Sequence, residues 1–84
     1  MKLADRIRDH AIKNYIEPAR KKQRSIVMIS AREIHDGLKL TSRFPAVCSA
    51  LDTDKFKEQA RIIEQTREGP NQSSTVIWKF EILP

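Results

Sequence analysis

The sequence has little of several residue types, and each shortage excludes a class of protein. It has one cysteine, so Cys48 cannot form an internal disulfide and fits a reducing compartment. With 2 glycines, 4 prolines and 39% hydrophobic residues, it has the composition of an ordered globular domain rather than of a disordered segment. The longest uninterrupted apolar run, residues 26–29, is far shorter than the roughly 18–20 residues of a membrane-spanning helix. We therefore expect a cytoplasmic protein without a membrane segment.

Residue patterns that mark an active site or a metal site are also missing. His10 and His35 lack metal-ligand spacing, and the sequence contains no Cys-x-x-Cys or His-x-x-x-His pair. Gly37 and Gly69 are isolated, whereas a phosphate-binding loop needs several glycines close together. No pair of carboxylates and no pairing of a nucleophile with a base is recognisable. The sequence therefore predicts a protein that is not an enzyme and needs no cofactor or metal.

The positive charge of the chain is concentrated near its start. At 84 residues the chain is long enough for one small domain, which buries roughly 60–65% of its unfolded surface. Residues 1–25 contain eight basic and three acidic side chains, whereas residues 26–84 contain eight of each, so the net charge of +5 comes from the first segment. A basic excess of this kind favours a polyanionic partner, most often nucleic acid, although solvated basic surfaces are also common.

The first segment has the periodicity of an amphipathic helix. Apolar residues recur at spacings of three and four from Leu3 to Ala19, and charged residues occupy the other side. Because proline lacks the N–H that a helix interior needs, Pro18 predicts that this helix ends or kinks near Ile16. Pro18 would then lie in the first turn of a restarted helix that leads into the basic residues 20–24.

A short strand and two helices are predicted next. Residues 26–29 are apolar and largely β-branched, as in a buried strand. Ser30 and Glu33 have the spacing of a capping box, which predicts a helix from residue 31 that ends at Gly37 in the left-handed conformation. A turn over residues 38–41 precedes a second helix, capped by Thr41 or Ser42, with a core stripe of Phe44, Val47, Cys48 and Leu51. The opposite side of that helix carries Arg43, Ala46, Ser49 and Ala50.

The last third of the chain changes from helical to strand periodicity. Asp52 and Thr53 can cap a further short helix, with Phe56 and Ala60 pointing inward. Beyond it, Val76, Trp78, Phe80 and Ile82 alternate with more polar neighbours, which is the clearest strand pattern in the sequence. Residues 61–67 are the expected antiparallel partner, and the loop between the two strands spans residues 68–74.

This order of elements is that of a winged helix domain, and residues 33–51, EIHDGLKLTSRFPAVCSAL, resemble the helix-turn-helix of that family. A Leu-x-Leu turn, residues 38–40, leads into a helix that begins with Ser42 and Arg43. The resemblance covers residues 26–83. It implies a single α+β winged helix domain over residues 1–84: a basic N-terminal helix and linker (1–25), a strand with the helix-turn-helix (26–60), and a β-hairpin wing (61–83).

The resemblance also implies binding to double-stranded DNA, with the second helix of the pair in the major groove. Small residues there would allow close approach to the bases, and Arg43 would donate to a guanine. Hydroxyl and basic side chains on the turn, the N-terminal segment and the wing would contact phosphates. The expected DNA-binding residues are Lys39, Thr41, Ser42, Arg43, Ala46, Ser49, Arg20, Lys21, Lys22, Arg24, Arg67, Asn71 and Gln72. Unlike many wings, this one flanks its arginine with Glu64 and Glu68.

Three functions remain open from the sequence. The first is a DNA-binding protein, either a transcriptional regulator or an accessory DNA-binding module. The second is a winged helix module that binds a protein and not DNA, which the balanced charge of residues 26–84 favours. The third is RNA binding. A homodimer is compatible with each of them.

Overall fold

Helices and three strands form a small α+β domain in the computed structural model, which describes residues 2–70 and 73–84. The helical segments are α1 (Leu3–Ala11), a π-helical segment (Ile12–Ile16), α2 (Glu17–Lys21), α3 (Ala31–Gly37), α4 (Phe44–Leu51) and α5 (Asp54–Ala60). The strands are β1 (Ile26–Ser30), β2 (Ile62–Glu68) and β3 (Ile77–Ile82). None of the helices within the described ranges is long and apolar enough to cross a bilayer.

The first three helical segments follow one another without a break in helical backbone, so the helix does not end near Ile16, but the predicted restart with Pro18 in the first turn is confirmed. Ile12, Ile16 and Glu17, at the junctions, all have right-handed helical backbone angles. An interior proline would clash with an α-helical turn and would leave one carbonyl without its donor. The π-helical segment changes the hydrogen-bond register just before Pro18, which then lies in the first turn of α2, where its missing N–H costs little.

The strands form an antiparallel sheet in the order β1-β3-β2. The predicted alternation is confirmed, because Val76, Trp78 and Phe80 are fully buried while Ile77 lies on the other face of the sheet. The predicted second strand begins one residue later than expected. Arg61 ends α5 in the left-handed conformation, with φ of 54°, and β2 starts at the next residue.

The helices cover one face of the sheet and leave the other open. Phe56 on α5 packs edge-on against Phe80 on β3, with 5.7 Å between the ring centroids. On the open face, Met28, Ile63 and Ile77 keep 61%, 48% and 37% of their surface exposed. These three side chains lie on the same side of the sheet. Met28 pairs with Lys79 and Ile63 pairs with Glu81, and residues 77, 79 and 81 of β3 share one face because side chains alternate along a strand.

A buried arginine joins the first helix to α4. Arg8 keeps only 7% of its surface exposed, and its Nη1 donates to the carbonyl of Ala50 at 3.4 Å. Its Nη2 donates to Asp5 Oδ1 at 2.9 Å, and Lys55 Nζ lies 3.7 Å from the same oxygen. Ala50 is 2% exposed beneath this contact. The prediction that Ala50 shares the open side of α4 with Arg43 and Ser49 is therefore wrong.

Acid should weaken this cluster through Asp5. The hydrogen bond from Arg8 holds the pKa of Asp5 below its ordinary value of 3.8. A carboxylate with a lowered pKa stabilises the fold above its unfolded pKa, and the contribution is lost as the pH falls through the lower folded value. In urea unfolding at about pH 5, Asp5→Asn should lower the midpoint, and the difference from the parent should shrink at about pH 3. Asp54→Asn is the control, since that carboxylate is 95% exposed. Equal effects of the two variants would contradict this prediction.

Candidate nucleic-acid interface

The turn between α3 and α4, residues 38–43, presents four exposed polar residues of the predicted site. Lys39, Thr41, Ser42 and Arg43 are all exposed to solvent. Two of these residues have left-handed backbone angles, with φ of 55° at Lys39 and 53° at Ser42. Residues 37–51 contain two basic side chains and no acidic one, so no carboxylate of this stretch opposes an approaching polyanion.

The predicted helix caps around this turn are wrong, because tertiary contacts replace them. Ser30 makes no side-chain cap bond, and the N–H of Ala31 instead donates to the carbonyl of Val76 at 2.9 Å. Gly37 is the last residue of α3 and is not left-handed; its missing side chain lets His10 of α1 pack closely, since a Cβ would lie 2.8 Å from His10 Nε2.

At the start of α4 the predicted side-chain caps are also missing. Neither Thr41 nor Ser42 caps this helix; Arg43 occupies the N-cap position without a side-chain cap bond. Pro45 lies in the first turn of the helix, as predicted.

His35, which the sequence singled out only to dismiss as a metal ligand, connects α3 to this turn. The side chain is 5% exposed, and its Nε2 accepts a hydrogen bond from the backbone N–H of Arg43 at 3.2 Å. Its ring stacks on Phe44 with 4.0 Å between centroids and 12° between planes. A lone histidine on a short helix has no local pattern that predicts a tertiary contact of this kind.

Helix α4 offers little surface of its own. The predicted core stripe is confirmed, since Val47, Cys48 and Leu51 are fully buried and Phe44 packs against them. Of the predicted contact residues on this helix, Ser49 is exposed and Ala46 is half-buried. The accessible part of the predicted site is therefore the turn and the beginning of α4, rather than a long helical face.

Two of the predicted phosphate-binding arginines make internal contacts. The Nη2 of Arg20 donates to the carbonyls of Ala60, Arg61 and Leu83 at 2.9, 3.3 and 3.4 Å. The Nε of Arg67 donates to both carboxylate oxygens of Asp52, at 2.9 and 3.2 Å. That bond raises the pKa of Arg67 and pairs its charge. Both arginines hold the fold together, and we leave them out of the interface.

The other three predicted contact residues of the N-terminal segment lie near the end of the sheet that is far from the β2–β3 loop. Lys21, Lys22 and Arg24 are exposed, and Arg24 lines a shallow cleft with Ile82 and Leu83. Ile82 pairs with Ile62, whereas Ile77, which adjoins the loop, pairs with Glu68 and Ser30. The two ends of β1 are about 13 Å apart at the usual rise of a strand. The structure therefore does not bring the basic run and the loop together. Asn71 and Gln72 fall outside the described residues.

Neither Cys48 nor a metal site adds chemistry here. Burial raises the pKa of the Cys48 thiol, and its Sγ lies 3.8 Å from the carbonyl oxygen of Ser73. This is the core position predicted for it. Across residues 2–70 and 73–84, no group of three or more His, Cys, Asp and Glu side chains is arranged to hold a metal ion.

Comparison of the chain with protein-family models, curated proteins and solved structures finds no match.

Proposed function

We propose that this domain is a winged helix and that it binds double-stranded DNA through the α3–α4 turn and the first turn of α4. Support for the fold comes from the element order and the sheet order β1-β3-β2, with α3 and α4 as the helix pair and β2–β3 as the wing. The connection between the helices, residues 38–43, is longer than the three or four residues of the simplest helix-turn-helix.

The acid-free stretch from residue 37 to residue 51 carries this proposal. Lys39 and Arg43 project from its exposed part, and the hydroxyls of Thr41 and Ser42 lie between them. These are the side chains that bind phosphates, and Arg43 at the start of α4 is placed to reach a base edge. Because Ala50 is buried and Ala46 is half-buried, few side chains of α4 read bases. Binding is therefore mainly electrostatic, with a weak preference for sequence.

Removing the two charges of the turn should weaken DNA binding about tenfold and flatten its salt dependence. Each phosphate contact contributes about −0.9 to the slope of log K against log salt, so the loss of the phosphate contact of Lys39 should reduce the slope by about 0.9, and the loss of the base contact of Arg43 should lower the affinity further. The measurement is fluorescence anisotropy of a labelled random duplex at several salt concentrations. Single-stranded RNA and duplex DNA of the same length, compared in the same titration, test the RNA alternative.

The matched control is Lys21→Gln with Lys22→Gln, which removes the same net charge from exposed side chains at the end of α2. If net charge alone attracted DNA, the two double variants would weaken binding equally. We expect the loss of log K in the control to be at most half of the loss in the variant of Lys39 and Arg43. Equal losses would contradict the placement of the interface, and no binding of duplex at low salt would contradict the proposed function.

The open face of the sheet favours the second candidate, a module that binds a protein. Met28, Ile63 and Ile77 are exposed on that face, which they share with Lys79 and Glu81, and exposed apolar side chains on one face can serve an interaction surface. Such a partner would bind with an affinity that hardly changes with salt, unlike DNA. The same titration series therefore separates the two functions.

A further inference from the structure

His35 holds the turn that carries the proposed DNA contacts at two points. Its backbone carbonyl accepts from the N–H of Leu40 at 3.0 Å, and its ring Nε2 accepts from the N–H of Arg43 at 3.2 Å. Between these two bonds the chain passes through the left-handed residue Ser42, a conformation that non-glycine residues seldom adopt without support. The ring bond therefore fixes the part of the turn that presents Ser42 and Arg43.

The ring can make this bond in only one protonation state. Because Nε2 accepts, it carries no proton, and the proton of the neutral ring is on Nδ1, which faces Asp36 Oδ1 at 3.5 Å. A second proton on Nε2 would replace the acceptor with a donor that points at another N–H. The ring is also 5% exposed and stacked on Phe44, so it cannot turn toward water without leaving that contact.

The charged and titratable groups around His35 are few. Asp36 of the same helix is the carboxylate partner of Nδ1, and Arg43 of the turn contributes the backbone N–H. Helix α1 packs on α3 through His10, which faces Gly37. Helix α4 contributes Phe44, and its titratable thiol, Cys48, faces Ser73 instead. Among residues 2–70 and 73–84, Asp36 is the carboxylate that lies close enough to compensate a charge on the ring.

We propose that His35 is a positioning residue for DNA binding and that its protonation releases the turn and weakens the complex. This inference rests on the proposed function. Its direction is unusual, because an added proton on a basic protein normally strengthens binding to a polyanion. Here the lost bond to Arg43 outweighs the added charge, so the sign of the pH dependence separates positioning from simple electrostatics.

The test is duplex binding by anisotropy between about pH 8 and about pH 5 at fixed ionic strength. The parent should lose affinity about fivefold over this range, at the lower end of usual coupling between two sites. His35→Phe keeps the stacked ring but removes the acceptor, and should bind weakly at every pH. His35→Gln offers a non-titrating acceptor and should bind well at every pH. His10→Gln removes the other histidine of the chain and should keep the pH dependence of the parent.

Two results would overturn the inference: tighter binding of the parent as the pH falls, or His35→Phe with unchanged affinity. A fold check by circular dichroism and urea unfolding accompanies each variant, and His35→Gln keeps the test valid if His35→Phe unfolds. The backbone amide of Arg43 supplies a readout without DNA. Its hydrogen exchange should accelerate at low pH relative to neighbouring amides in the parent and not in His35→Gln. If the parent does not bind duplex but exchange at the Arg43 amide still accelerates at low pH, the proposed function is wrong and the positioning role of His35 is retained. If exchange at that amide is the same in the parent and in His35→Gln, the positioning role is wrong.

Discussion

Trp78→Ala is expected to destabilise the domain by about 3–5 kcal/mol. Trp78 is fully buried near the start of β3, and its Nε1 donates to Asp52 Oδ1 at 2.8 Å. The guanidinium of Arg67 lies 5.8 Å from its ring centroid and binds the same carboxylate. Truncation leaves a large cavity and removes one of the two donors to the carboxylate of Asp52. A chain of 84 residues has a total stability of roughly 4–13 kcal/mol, so the variant should be largely unfolded in mild denaturant.

Urea unfolding followed by circular dichroism measures this effect, and Trp78→Phe is the control. Phenylalanine fills most of the cavity and lacks the indole N–H, so its cost should be about 1–2 kcal/mol. The difference between the two variants separates packing from the bond to Asp52. A midpoint for Trp78→Ala within the error of the parent would mean that the tryptophan is not part of the core.

Arg20→Met is expected to lower the free energy of unfolding by about 2–3 kcal/mol, although Arg20 is one of several cations in a basic run. One nitrogen of Arg20 donates to Ala60, where α5 ends, and more weakly to Arg61 and Leu83. Methionine conserves much of the aliphatic stem and leaves the carbonyl at the end of the helix without this donor. Hydrogen bonds from charged donors are worth more than neutral ones, and the shortest of these bonds, at 2.9 Å, accounts for most of the effect.

Lys21→Met is the matched control for Arg20→Met. It removes the same charge one residue later from an exposed position, and substitutions of that kind usually change stability by less than about 0.5 kcal/mol. Equal midpoints for the two variants in urea would show that the three carbonyl contacts of Arg20 carry no net stability.

The periodic part of the fold was predictable from the sequence. Alternation from Val76 to Ile82 fixed which side of β3 is buried, and the spacing of Val47, Cys48 and Leu51 fixed the core side of α4. Thr53 does cap α5, since its Oγ1 accepts from the N–H of Phe56 at 3.2 Å. In each case the signal is local, because a residue and its neighbours three or four positions away decide the outcome.

The ends of α3 and α4 and the partners of the charged side chains were not predictable, because the residues that they contact are distant in sequence. The glutamate of the expected capping box, Glu33, instead accepts from the hydroxyl of Tyr15 at 3.3 Å. In the candidate site, Arg20 and Arg43 look alike as exposed cations in the sequence, yet Arg20 binds carbonyls up to 63 residues away. Composition assigns charge to a segment; the tertiary structure decides which charges remain available to a ligand.

The contact between Arg20 and Leu83 also constrains how the domain is made. A ribosome produces the first helix long before β3, and the carbonyls at Ala60 and Leu83 that accept from Arg20 come from the later part of the chain. Both edge strands pair with β3, so neither β1 nor β2 has its neighbour until that strand has emerged. The sheet therefore cannot form before β3 has emerged, whereas the first helix can pack on α4 earlier, through contacts such as that of Arg8 with the carbonyl of Ala50.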